Sequence, residues 1–140
     1  KGLETLKLRV EAQSRAAATI AEALSSMKGV ERVYYPHHDT HAQVKLARSQ
    51  MKMGGTMVSF NVAGGKAKAF DMLRKLGIID ISNNLGDAKS LITHPATTTH
   101  RNIGPEARAM MGISDGNLRL SVGLEDVNDL VGDLKQALKA

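Results

Sequence analysis

Apolar residues recur at intervals of three and four along the start of the chain: Leu3, Leu6, Val10, Ala17, Ile20, Leu24 and Met27. That period predicts one long amphipathic helix over residues 3–27, with Gln13 the single polar interruption of its stripe. The Ala16-Ala17-Ala18 run favours helix intrinsically, and Gly29 supplies a stop just after Lys28. Such a helix is about 37 Å long at 1.5 Å per residue. This is long for a small domain, so part of it is expected to pack on something else. By itself the segment reads as an ordinary amphipathic helix.

Beyond residue 29 the period changes. Residues 30–35 alternate and carry β-branched and aromatic side chains, predicting a short strand ended by Pro36. Thr40 has the chemistry of an N-cap for a helix over residues 41–50. The clearest strand is 56–62, with Val58, Phe60 and Val62 on one face and Met57, Ser59 and Asn61 on the other. A helix over 66–76, short strands at 78–81 and 91–94, a threonine-rich loop at 97–99 and a short helix over 106–111 follow. Pro105 suits the first turn of that last helix. Residues 118–122 predict another strand, and 125–138 a final amphipathic helix through Val127, Leu130, Leu134 and Leu138. Several connections are too short for a parallel crossover. The fold class expected is therefore α+β: a two-layer sandwich, its mostly antiparallel sheet covered by helices on one face and preceded by the long N-terminal helix. No linker, repeat or low-complexity tract divides the chain, so residues 1–140 read as a single domain.

Composition narrows the chemistry. The 140 residues are 42% hydrophobic and 24% charged, which is globular and not disordered. No apolar stretch is long enough to span a membrane, so no membrane partner is expected. The absence of cysteine removes disulfides, thiolate nucleophiles and cysteine zinc sites, and fits a cytoplasmic location. The net charge of +5 is spread along the chain, and Tyr34, Tyr35, Phe60 and Phe70 are the only aromatics. Base stacking has little to work with, and no nucleic-acid partner is expected.

Candidate sites are few. His37, His38 and His41 lie close in sequence with Asp39 between them, but adjacent loop histidines need not converge on a metal. His94 and His100 flank the threonine-rich loop, where each could orient a site or satisfy a backbone carbonyl. Gly54-Gly55 and Gly64-Gly65 match no phosphate-binding pattern and read as turns. No carboxylate pair and no activated lysine stands out among Lys45, Lys66, Lys68 and Lys89.

Residues 118–122 are the most informative. Strand alternation puts Leu118, Leu120 and Val122 on one face, Arg119 and Ser121 on the other. If the leucines pack under helices, the Arg119 guanidinium stands on the bare face, where it suits a carboxylate held through two parallel hydrogen bonds. Spacing alone favours a solvated surface arginine.

Several segments in order carry a resemblance: Tyr35-Pro36, His41, Gln50-Met51, the Gly-Gly strand at 55–60, Asn84-Leu85-Gly86-Asp87-Ala88-Lys89-Ser90-Leu91, the run 95–100, Gly112-Ile113-Ser114-Asp115-Gly116 and Arg119-Leu120-Ser121-Val122-Gly123-Leu124-Glu125. Together they resemble the C-terminal domain of the Cys/Met-metabolism family of pyridoxal-phosphate (PLP) enzymes, through nearly all 140 residues. Within that family the likeness is greatest to the homoserine-ester sulfhydrylases. Gly2-Leu3-Glu4-Thr5-Leu6 and Leu8-Arg9 look like the start of the family's interdomain helix, here residues 1–28.

The resemblance implies roles. The Arg of the R-L-S-V-G motif, Arg119 here, holds the substrate α-carboxylate, which reverses the preference drawn from spacing. The family's S-L-G loop borders substrate and the cofactor's lysine. Here it reads Asn84-Leu85-Gly86, so a hydroxyl role is lost while backbone contacts survive. Thr99 edges the site, and Asn83 falls where the family varies with substrate choice. The family's PLP-bearing lysine, ring-stacking aromatic and phosphate-binding residues belong to a large upstream domain absent from this sequence. The chain, which begins at Lys1, is therefore read as a C-terminal piece of a longer, homotetrameric enzyme. It is expected to bind no PLP and catalyse nothing by itself. In the longer protein the implied reaction is γ-replacement, in which sulfide displaces the acyl group of an O-acylhomoserine. Readings left open are a cystathionine synthase or lyase or a methionine γ-lyase of the same family, a stand-alone binding module, and a regulatory amino-acid-binding domain.

Overall fold

A computed structural model describes residues 1–139. The elements are α1 (Leu6–Ser25), β1 (Val30–Tyr34), α2 (Val44–Gln50), β2 (Met57–Val62), α3 (Gly65–Lys75), β3 (Asp80–Ile81), β4 (Leu91–Thr93), α4 (Gly104–Met110), β5 (Asn117–Ser121) and α5 (Val127–Ala137). Two single 3-10 turns, Pro95–Thr97 and Arg101–Ile103, lie between β4 and α4.

The five strands form one mixed sheet in the order β1-β2-β5-β4-β3. All neighbours are antiparallel except β3 and β4. Helix α1 packs against β1 and β2, α3 against β2 and β5, and α5 against α1 and α3. All three lie on one side of the sheet, so the expected two-layer α+β sandwich is the fold. Its core is formed by Val58, Phe60, Val62, Ile92, Leu118 and Leu120 from the strands, with Ile20, Leu24, Met72, Leu130 and Leu134 from the helices. Burial of these side chains supplies the main driving force.

The differences from expectation are local and have physical causes. Helix α1 spans 20 residues and not the expected 25, because residues 2–5 form turns held by Glu4 N–H to Lys1 O and by Arg9 Nη2 to Gly2 O. Its first turn and the turns before it are exposed, Leu3 at 83% and Leu8 at 70%, whereas Ile20 and Leu24 are fully buried. Gln13, the polar break in the stripe, is itself buried, and its Nε2 donates to Asp87 O at 2.7 Å. Thr40 caps no helix. Its hydroxyl bonds His38 Nδ1 at 2.8 Å inside a turn, and α2 begins later, after Gln43. Strand β3 shrinks to two residues because the Ile78 and Ile79 N–H groups turn aside to the Asp133 carboxylate, at 2.9 and 3.1 Å. Among the described residues no helix is long and apolar enough to cross a membrane.

Candidate functional site

The alternation read in β5 holds in three dimensions. Leu118, Leu120 and Val122 are fully buried under the helices. Arg119 lies on the opposite face, half-buried, between Ser59 of β2 and Thr93 of β4 in the strand register. That face carries a polar row. Asn117 donates to Asn61 at 2.8 Å, Asn61 donates to the Tyr34 hydroxyl at 3.2 Å, and the Arg32 guanidinium stacks 4.9 Å from the Tyr34 ring centre.

Arg119 is tied down by one hydrogen bond, from Nη2 to the Asn83 carbonyl oxygen at 3.0 Å. Among the described residues no carboxylate lies within ion-pairing distance of it. A guanidinium carries five N–H donors in a fixed fork. One here is spent on orientation, and the rest are available to a planar anion.

The loop that supplies Asn83 is braced from several sides. The Gly86 N–H donates to Ser121 Oγ at 2.9 Å, and Gly86 takes a left-handed φ of 78° that favours glycine. The Leu124 N–H donates to Ala88 O at 2.8 Å, and Gln13 holds Asp87 O. Ser121, placed by alternation on the same face as Arg119, is buried under this loop and acts as its strut.

A second braced segment follows β4. Buried His94 donates from Nε2 to Asp115 O at 2.7 Å and accepts at Nδ1 from the Thr97 hydroxyl at 2.9 Å. A carbonyl can only accept, which fixes the tautomer. The ring also meets Phe70 edge-on, with centroids 5.2 Å apart. Of the two roles open to His94, the structure gives it the backbone carbonyl. Thr93 Oγ1 lies 3.0 Å from Asn83 Oδ1 and 2.9 Å from Thr98 Oγ1.

Of the five residues expected at the site, Arg119 and Asn83 are in direct contact. Asn84 is exposed, its N–H held by Ser82 Oγ at 3.2 Å, and Leu85 is 60% exposed. Thr99 is exposed and bonded to its neighbour His100 Nδ1 at 2.8 Å, outside the network round Arg119. Its neighbour Thr98 is the residue joined to that network, through Thr93. Sequence reasoning missed Thr93 and Thr98. The signal for Thr93 is its register opposite Arg119, which no local pattern reveals.

The histidines of residues 37–41 serve their own turn. His38 meets Glu22 at 3.4 Å, the His41 Nδ1 accepts from the Gln43 N–H at 3.2 Å, and the His37 carbonyl accepts from Arg48 at 2.8 Å. Among the described residues no group of three or more histidines, aspartates or glutamates stands where it would hold a metal ion.

Residues 1–139 match the family described as Cys/Met metabolism PLP-dependent enzyme. An O-succinylhomoserine sulfhydrylase of Mycobacterium tuberculosis is 54% identical over 99% of this chain, and an L-methionine gamma-lyase of Fusobacterium nucleatum is 42% identical over 99%. The chain spans about a third, 35%, of the length of each of these relatives. A solved structure of a putative O-acetylhomoserine (thiol)-lyase from Campylobacter jejuni, carrying N′-pyridoxyl-lysine-5′-monophosphate, superposes with a TM-score of 0.95 at 36% identity. That match covers 99% of this chain and 33% of that one.

Proposed function

The chain belongs to the Cys/Met metabolism family of PLP-dependent enzymes, and from that premise we propose that it is the small C-terminal domain of a cytoplasmic homoserine-ester sulfhydrylase. In this reading O-succinylhomoserine and sulfide yield homocysteine and succinate. Residues 1–28 bridge to a large domain that holds the cofactor, and the whole enzyme is a homotetramer. The observation that carries the reading is Arg119: a guanidinium on the face of the sheet opposite α1, α3 and α5, oriented by Asn83 and, among the described residues, without a carboxylate of its own.

The residues gathered round Arg119 fit an amino-acid carboxylate and do not fit PLP. Among the described residues no lysine enters their hydrogen-bond network: Lys68 and Lys75 bond Asp71, and Lys89 bonds Asp80. The cofactor and its electron-sink chemistry are thus assigned to the rest of the protein, and the 140 residues alone have no activity.

The role of Arg119 is orientation. Two N–H bonds to a planar carboxylate fix both the position and the rotation of the amino acid, which sets the direction of its Cα–H bond. Asn83, Asn84, Leu85 and Thr99 border the amino acid. The bond that breaks joins the γ-carbon to the ester oxygen, which leaves as succinate. The bond that forms joins the γ-carbon to sulfur.

The test is Arg119→Ala in the full-length enzyme. KM for O-succinylhomoserine is expected to rise by roughly a hundredfold, the loss of a charge-assisted pair, with PLP still bound. Unchanged substrate kinetics would contradict the assignment. Product analysis with sulfide, with cysteine and with methionine separates sulfhydrylase from cystathionine synthase and from methionine γ-lyase. The 54% identity to a sulfhydrylase, against 42% to a lyase, supports the first.

A further inference from the structure

We propose that Thr93 is a positioning residue for substrate binding, acting through Asn83 on Arg119. This rests on the assignment of Arg119 as the carboxylate-binding group. Three observations converge. Thr93 is 1% exposed and sits opposite Arg119 in the β4–β5 register. Its hydroxyl reaches the side chain of Asn83 at 3.0 Å, and Asn83 is the residue whose carbonyl holds Arg119 at 3.0 Å. Behind it, Thr98 Oγ1 lies at 2.9 Å.

Proton counting gives this chain a direction. Each threonine has one hydroxyl proton. The Thr98 hydroxyl donates its proton to the His94 carbonyl oxygen at 2.8 Å. Thr93 donates its own to Asn83 Oδ1 at 3.0 Å, so the link to Asn83 runs from Thr93 alone. Asn83 is otherwise an exposed residue in a loop. Its side chain is fixed from below by Thr93 while its backbone carbonyl fixes Arg119 from the side. Without the Thr93 hydroxyl, Asn83 keeps its place in the chain but loses the one side-chain anchor that sets its carbonyl direction.

The experiment uses the full-length PLP-loaded enzyme. Thr93→Val keeps the shape and removes the hydroxyl. KM for O-succinylhomoserine is expected to rise five- to tenfold, the worth of one lost hydrogen bond, with KM for sulfide unchanged. The dissociation constant of norleucine, which has no leaving group, read from cofactor absorbance, should rise in step. Thr93→Ser should restore both within twofold. In an Asn83→Ala background, Thr93→Val should add nothing further, since the link is already cut. If Thr93→Val does not fold, Asn83→Ala severs the same link at an exposed position and must raise the same KM. The proposal is overturned if Thr93→Val leaves KM for O-succinylhomoserine unchanged, if Thr93→Ser loses as much as Thr93→Val, or if the two substitutions act additively. Arg119→Ala separates the layers. If it raises KM while Thr93→Val does not, the carboxylate reading stands and the relay falls. If Arg119→Ala is itself silent, the reading beneath the relay falls.

Discussion

Ser90 and Glu125 are joined twice: the Ser90 backbone N–H and the Ser90 hydroxyl each donate to one carboxylate oxygen of Glu125, at 2.6 and 2.8 Å. Ser90 Oγ in turn accepts the Gly123 N–H at 2.8 Å. This clasp closes the turn after β5 onto the start of β4. Glu125→Ala strands two buried donors and is expected to cost about 2–3 kcal/mol, measured as the shift in urea midpoint at constant slope. A change below about 0.5 kcal/mol would mean that water replaces the carboxylate.

Asp133, on α5, makes a similar join to the backbone after α3. Burial alone would push its carboxyl up, but the Gly77, Ile78 and Ile79 N–H groups and the Gln136 side chain all donate to it, and together they bring it below the ordinary carboxylate value. A folded-state value below the unfolded one stabilises the fold fully above the ordinary carboxylate range and loses that stabilisation as pH falls through the folded value. Stability is therefore expected to decline on acidification below about pH 4. Asp133→Asn should flatten that acid limb and lower stability near neutrality. An unchanged pH profile in this variant would assign the acid sensitivity to other groups.

Gly116 has no room for a side chain, since a Cβ there would overlap the Val62 carbonyl oxygen across the β2–β5 junction. Gly116→Ala is expected to destabilise by about 2–4 kcal/mol through forced backbone displacement. Gly29 differs: its φ is 93° with open space around it, so Gly29→Ala should cost only about 1 kcal/mol, from conformation alone. Thermal melts of the two variants test the ordering.

The two ends of α1 should respond unequally. Leu24→Ala opens a cavity in the core and is expected to cost about 3 kcal/mol. Leu8→Lys, at a side chain 70% exposed, should change the stability of residues 1–140 by less than about 0.5 kcal/mol. In the full-length protein the same Leu8→Lys is expected to lower the melting temperature. Equal melting temperatures there would remove α1 from the proposed interdomain contact.

Much of this arrangement was legible in the sequence. The strand at 118–122 declared its two faces through strict alternation, and helices α3 and α5 through their period, because one-sided burial writes itself into local spacing. What stayed hidden depends on partners distant in sequence. Gln13 interrupts an apolar stripe until Asp87 is placed beside it. Ile78 and Ile79 carry strand-forming side chains, yet Asp133, more than fifty residues on, takes their N–H groups. Thr99 drew attention through a motif, while the hydroxyl that reaches Asn83 belongs to Thr93. Alternation put Arg119 on the bare face, while its role toward a carboxylate came from the resemblance, since spacing alone favoured a solvated side chain.

The two carboxylate clasps bear on how the molecule yields. Asp133 pins the backbone at 77–79 and Glu125 pins it at Ser90. Between these two piers the span is strapped as well: Asp80 and Ser82 N–H donate to the backbone of Ser90 and Ile92, and the Gly86 N–H donates to Ser121 Oγ. Amide protons at 80, 82 and 86 should therefore exchange slowly, which leaves the guanidinium's anchor on a suspended but tethered deck.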